Sequence, residues 1–101
     1  MSIIKIDPSR IAPTVADYQT AIQAMVDETA QSLDFRSGDS LASYVTSTVS
    51  LWAAQAQAFV AWRDNVWQHA YGELAKVQAG EREQPSVEVL IGELPPITWP
   101  E

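Results

Sequence analysis

Residues Ser50–Gly80 read SLWAAQAQAFVAWRDNVWQHAYGELAKVQAG. The run is rich in alanine, glutamine, leucine, lysine and glutamate, holds no proline and ends on glycine, so it predicts one long helix. Ser50 is placed to cap its start and Gly80 to close it in a left-handed turn. Trp52, Phe59, Trp62, Val66, Ala70, Leu74 and Val77 recur mostly every three or four residues, which makes one stripe the expected core face. At about 1.5 Å per residue the rod is roughly 45 Å long, more than a compact domain of this size is wide. Part of it is therefore expected to project or to pack on a partner. Trp62 and Trp67, five residues apart, lie about 140° apart around the axis, which implies burial on more than one side.

Upstream, Thr14 opens a second amphipathic helix, with Asp17 where its carboxylate meets free amide groups and the helix dipole. Val15, Tyr18, Ile22, Met25, Thr29 and Leu33 make a narrow, coiled-coil-like seam over about twenty residues. The polar stretch Asp34–Asp39 with Gly38 ends it. Asp39 or Ser40 can cap a short helix across SLASYVTSTV, with Leu41, Tyr44, Val45 and Thr48 facing inward. The Thr46–Ser50 hydroxyl cluster competes for backbone hydrogen bonds and favours a break before the long helix. Further upstream, Ile3, Ile4 and Ile6 form a short β-prone run cut off by Asp7-Pro8, a frayed or docked arm or an edge strand offered to another chain.

Downstream of Gly80, Glu81–Pro85 reads as a hydrophilic linker. Ser86 caps a short helix with Val87, Leu90, Ile91 and Leu94 apolar. Pro95, Pro96 and Pro100 hold the tail extended. Trp99, near its tip, is a rigid anchor that docks on its own domain or on a partner. The expected architecture is all-α: two long antiparallel helices, a short connecting helix, a short C-terminal helix and an extended Trp-Pro tail. It divides into an arm (residues 1–13), a helical core (14–80), and a linker, helix and tail (81–101).

Composition narrows the function. Thirteen acidic residues against six basic give a net charge of -7, which disfavours nucleic-acid and anionic-membrane binding, since phosphate contacts need clustered cations. The acids are scattered, as on a solubilising surface, so an acidic decoy that binds a nucleic-acid enzyme is a third reading. Cysteine is absent, which removes disulfides and thiolate metal sites and suits a reducing compartment. The first residues carry no secretion-signal pattern, and the longest apolar run falls short of a membrane span.

Chemistry-bearing patterns are lacking. His69 is the sole histidine and shares a helix face with at most one carboxylate, Glu73, too few ligands for a metal. The serines show no nucleophile-elbow pattern and the four glycines are isolated, so no phosphate loop forms. The expectation is a non-enzyme without cofactor. Trp62, Arg63 and Trp67 make the densest feature. There Arg63 stacks on an indole, pairs with a carboxylate of another helix such as Asp27 or Glu28, or snorkels at the core edge.

Ala61-Trp62-Arg63-Asp64-Asn65-Val66-Trp67, then Tyr71, Val77-Gln78-Ala79-Gly80, Pro85-Ser86 and Glu93–Pro100 (ELPPITWP) together resemble small tail-associated proteins of tailed bacteriophages, described as tail fibre assembly or tail assembly chaperone-like. The likeness covers roughly residues 26–100. It departs at Leu33-Asp34-Phe35, where the family tends to carry Gly-Tyr-Asp, and at Thr48-Val49, where it often carries Asn-Pro. The resemblance implies a protein that binds a tail fibre or tail component, in the host cytoplasm during assembly or retained in the virion tail. Trp62, Arg63, Trp67 and Trp99 are the partner contacts it brings forward. Alternatively, the Val15–Leu33 seam or the two-sided Trp helix pairs with a second copy of this chain, giving a structural homo-oligomer.

Overall fold

The computed structural model describes residues 12–100. They form four α-helices and no strand: α1 (Val15–Gln31), α2 (Gly38–Ala42), α3 (Ser50–Gln78) and α4 (Val87–Glu93), with a 3₁₀ turn at Ser43–Thr46. The isoleucine-rich arm lies outside the described residues.

Three of the four helices start where a side chain can occupy their free amides. The Thr14 hydroxyl accepts the Asp17 N–H, and the Asp17 carboxylate accepts the Thr14 N–H at 2.8 Å, a reciprocal box. Ser86 caps α4 by accepting the Val89 N–H. At α2 the cap is Ser37, ahead of both Asp39 and Ser40. The reason is tertiary: the Asp27 carboxylate of α1 accepts the Gly38 N–H at 2.9 Å and draws the helix start back. Ser50 is not a cap either. It is the first residue of α3, and Val49 precedes it with no side-chain bond. The break before α3 is real, because Ser47 and Val49 are extended.

Two helices end in the same hydrogen-bonded turn. After α3, Gly80 takes φ 76°, its N–H reaches the Val77 carbonyl and the Glu81 N–H reaches the Lys76 carbonyl. After α1 the left-handed residue is Asp34, φ 69°, with Asp34 N–H to Gln31 and Phe35 N–H to Ala30. Aspartate tolerates this region better than most side chains, so no glycine is required at this turn.

The long helices run antiparallel, since Gln19 of α1 bonds Tyr71 of α3 while an added Cβ at Gly38 would sit 3.2 Å from both Val26 of α1 and Phe59 of α3. The core stripe of α3 is Ala56, Phe59, Trp62, Val66, Ala70 and Leu74. Facing it from α1 are Tyr18, Ile22, Val26 and Ala30, a strict four-residue row. Val26 and Ala30 thus replace the expected Met25 and Thr29, and Val15 is exposed. The Thr29 hydroxyl instead bonds back to the Met25 carbonyl. Rows of this kind pack at a crossing angle different from a coiled coil, and Tyr18 and Ile22 of the expected seam are buried within the chain's own core. Leu41 of α2 and Leu90 of α4 complete the buried core. Thr48 is exposed, not inward.

The segment between α3 and α4 is pinned. Pro85 is buried, the Tyr18 hydroxyl donates to its carbonyl at 2.5 Å, and the Gln84 amide donates to the Pro13 carbonyl. The molecule is elongated, with a radius of gyration of 17.2 Å against about 13 Å for a compact chain of this length. Its accessible surface is 6875 Å², where a compact monomer would show about 5,700 Å².

Candidate protein-docking surface

The four residues brought forward by the sequence have separate fates. Trp62 is 7% exposed, packed on Phe59 with ring centroids 5.8 Å apart, and its indole N–H donates to the Pro95 carbonyl at 2.6 Å. It is a core residue whose one polar atom is used by the chain's own tail, so it offers no surface to a partner. Arg63 pairs with its neighbour Asp64 at 3.1 Å on the same helix, and neither Asp27 nor Glu28 is its partner. Asp27 is engaged instead with Gly38 and Gln23. Trp99 is half-buried, and Ile97 and Trp99 both pack against the core. The tail docks on its own domain.

Trp67 is the one that borders open space. It lies about 100° around the axis from the buried Val66, which sets it at the flank of the core stripe rather than in it. Tyr71, one turn later and 48% exposed, stacks on it with centroids 5.6 Å apart and planes inclined at 28°. The two rings form one wall of an open groove of about 530 Å³, and Gln19, Gln23 and Asp27 of α1 form the other. A Gln19–Tyr71 hydrogen bond at 3.2 Å holds the walls in register. The groove offers flat aromatic surface beside amide and carboxylate groups, a combination suited to a peptide segment bearing apolar side chains and backbone amides. Tyr71 and the α1 wall were missed as site residues in the sequence. The available signal was the aromatic pair at i and i+4 lying off the core stripe.

The C-terminal elements that shape the neighbouring surface are held by charge. Arg82 bridges Glu73 of α3 and Glu93 of α4, and Lys76 meets Glu73 at 2.7 Å. His69 packs beside this group, its Nε2 shielded and without a hydrogen bond among the described residues, 3.9 Å from Glu93. Hydrogen bonding by Lys76 foremost, with Arg82 adding to it, holds the Glu73 carboxyl below its ordinary range. The Arg82 guanidinium does the same to Glu93, which in turn raises Arg82.

Carboxyls depressed in the folded state contribute stability that is present above their unfolded value, near pH 4.3, and lost as pH falls through the lower folded values. Docking of α4 and the tail is therefore expected to loosen as pH drops below about 4.3. Tryptophan fluorescence across an acid titration checks this, and Arg82→Gln should flatten the transition. An identical acid transition in Arg82→Gln would place its origin in other carboxylates.

Among the described residues no group of three or more His, Asp or Glu is arranged to hold a metal, and no helix is long and apolar enough to cross a membrane. Comparison with protein-family models, with characterised proteins and with solved structures returns no match.

Proposed function

We propose that this chain is a non-enzymatic, tail-associated protein of a tailed bacteriophage that binds a tail fibre or another tail component during assembly. The reading rests on the ordered tryptophan motifs between Ala61 and Pro100 and on one observation in particular. Trp67 and Tyr71 are stacked and held at the surface of a groove that nothing else in the described chain fills. Surface aromatics with few rotatable bonds are the side chains that most often dominate protein interfaces. The partner contacts are Trp67 and Tyr71, with Arg63 on the same helix contributing charge. Trp99 helps hold the tail in place, and Trp62 supports the surface from beneath.

The test is co-expression with a tail fibre protein from the same genome, following fibre solubility and co-elution. Stoichiometric co-elution identifies a retained subunit, and soluble fibre without co-elution identifies a transient chaperone. Trp67→Ala combined with Tyr71→Ala is expected to weaken binding at least about tenfold with helical content unchanged. Undiminished binding by that variant would remove the groove as the site. Neither solubilisation nor co-elution by the native chain would remove the function.

A further inference from the structure

A second surface lies at the other end of α3 and is independent of the groove. Trp52 continues the core stripe of α3 toward the N-terminus, yet it is 44% exposed, because α1 and the tail do not cover the first turns of the helix. Leu51 beside it is 51% exposed and Val49 is 40% exposed. Trp52 meets Tyr44 edge-on at 5.8 Å, and Tyr44 meets Phe35 at 5.2 Å. These rings, with Leu33 and Asp34, line an open cleft of about 260 Å³. An apolar ridge, Val49 and Leu51, therefore stands next to an aromatic recess on the same end of one molecule.

We infer that this end is a self-association surface, occupied by the same end of a second copy of this chain. A two-fold interface needs a patch complementary to itself, so that the ridge of each copy enters the recess of the other. Ridge and recess side by side supply that. Charge points to the same occupant. The chain carries -7, yet no charged residue occurs from Ser40 to Trp62. Two copies repel one another over most of their surfaces, and this end, where Asp34 is the one charged residue lining the recess, is where the repulsion is least. A basic partner would be drawn instead to the acidic remainder. Asp34 at the edge of the recess adds a like-charge pair across the axis, so salt should tighten the pairing rather than loosen it.

The full chain is to be followed by sedimentation or light scattering up to roughly 100 μM, in low salt and in ~0.5 M salt. A dimer is expected, favoured by salt. Leu51→Glu is expected to weaken self-association at least tenfold with the helical circular dichroism signal retained, because Leu51 is exposed and makes no core contact. Val49→Glu, outside the helix, provides the same reading if Leu51→Glu disturbs folding. A native chain that is monomeric throughout overturns the inference, as does a dimer indifferent to both substitutions. A monomer whose Leu51→Glu variant loses a co-expressed tail component also overturns it, and assigns this end to that component.

Discussion

Phe59→Ala is expected to destabilise the protein by about 3–5 kcal/mol, read from urea denaturation of the native and substituted chains. The ring is fully buried at the point where three helices meet. An added Cβ at Gly38 of α2 would sit 3.2 Å from the ring of Phe59 and 3.2 Å from Val26 of α1, so the elements approach too closely for rearrangement to fill the space left by alanine. A small domain has only about 5–15 kcal/mol to lose, and near-complete loss of cooperative unfolding at 37 °C is the stronger form of the outcome. A cost below about 1 kcal/mol would mean that the three-way junction is not the structural centre.

Trp62→Ala carries the second large effect, again about 3–5 kcal/mol, and it separates two roles for this residue. The indole fills the stripe beside Phe59 and donates its N–H to Pro95, which fastens the tail. Trp62→Phe keeps most of the packing but leaves the Pro95 carbonyl without this donor, and should cost about 1–3 kcal/mol, toward the low end because the bond is only partly buried. Quenching of Trp99 by iodide should rise in both variants as the tail detaches. If Trp62→Ala kept native stability and lost only partner binding, Trp62 would be a partner contact and not a core residue.

The chain's helical architecture is largely legible in its sequence. The Thr14–Asp17 box, the Ser86 cap and the Gly80 turn all close within a few residues, so the signal and the bond it makes sit in the same short segment. The stripe from Phe59 to Leu74 was legible for a related reason, since 3.6-residue periodicity is a property of the helix alone. On α1 the reading was right at Tyr18 and Ile22 and one residue off at Val26 and Ala30. Met25 and Val26 are both apolar, and the angle at which α3 crosses selects between them. The α2 cap was misplaced because the deciding group, Asp27, lies eleven residues away.

The candidate site was less legible. Trp62, Trp67 and Trp99 look alike in sequence as anchors and Trp52 looks like core, and their separate fates depend on where other elements end. Trp62 is covered because the tail returns along α3, Trp67 sits at the flank because α1 crosses beside it, and Trp52 is left bare because the elements beside the first turns of α3 do not close over it. Tyr71 acquired a role only through the α1 residues opposite it.

By itself, then, the sequence determined the number and order of the helices, the Thr14, Ser86 and Gly80 boundaries and the α3 stripe from Phe59 to Leu74, because those depend on bonds and periodicities closed within a few turns. Only the tertiary structure decided which aromatic side chains are core, which fasten the tail and which face solvent. Exposure is a property of what lies across from a residue, and for Trp52, Trp62, Trp67 and Trp99 that is set by segments far away along the chain.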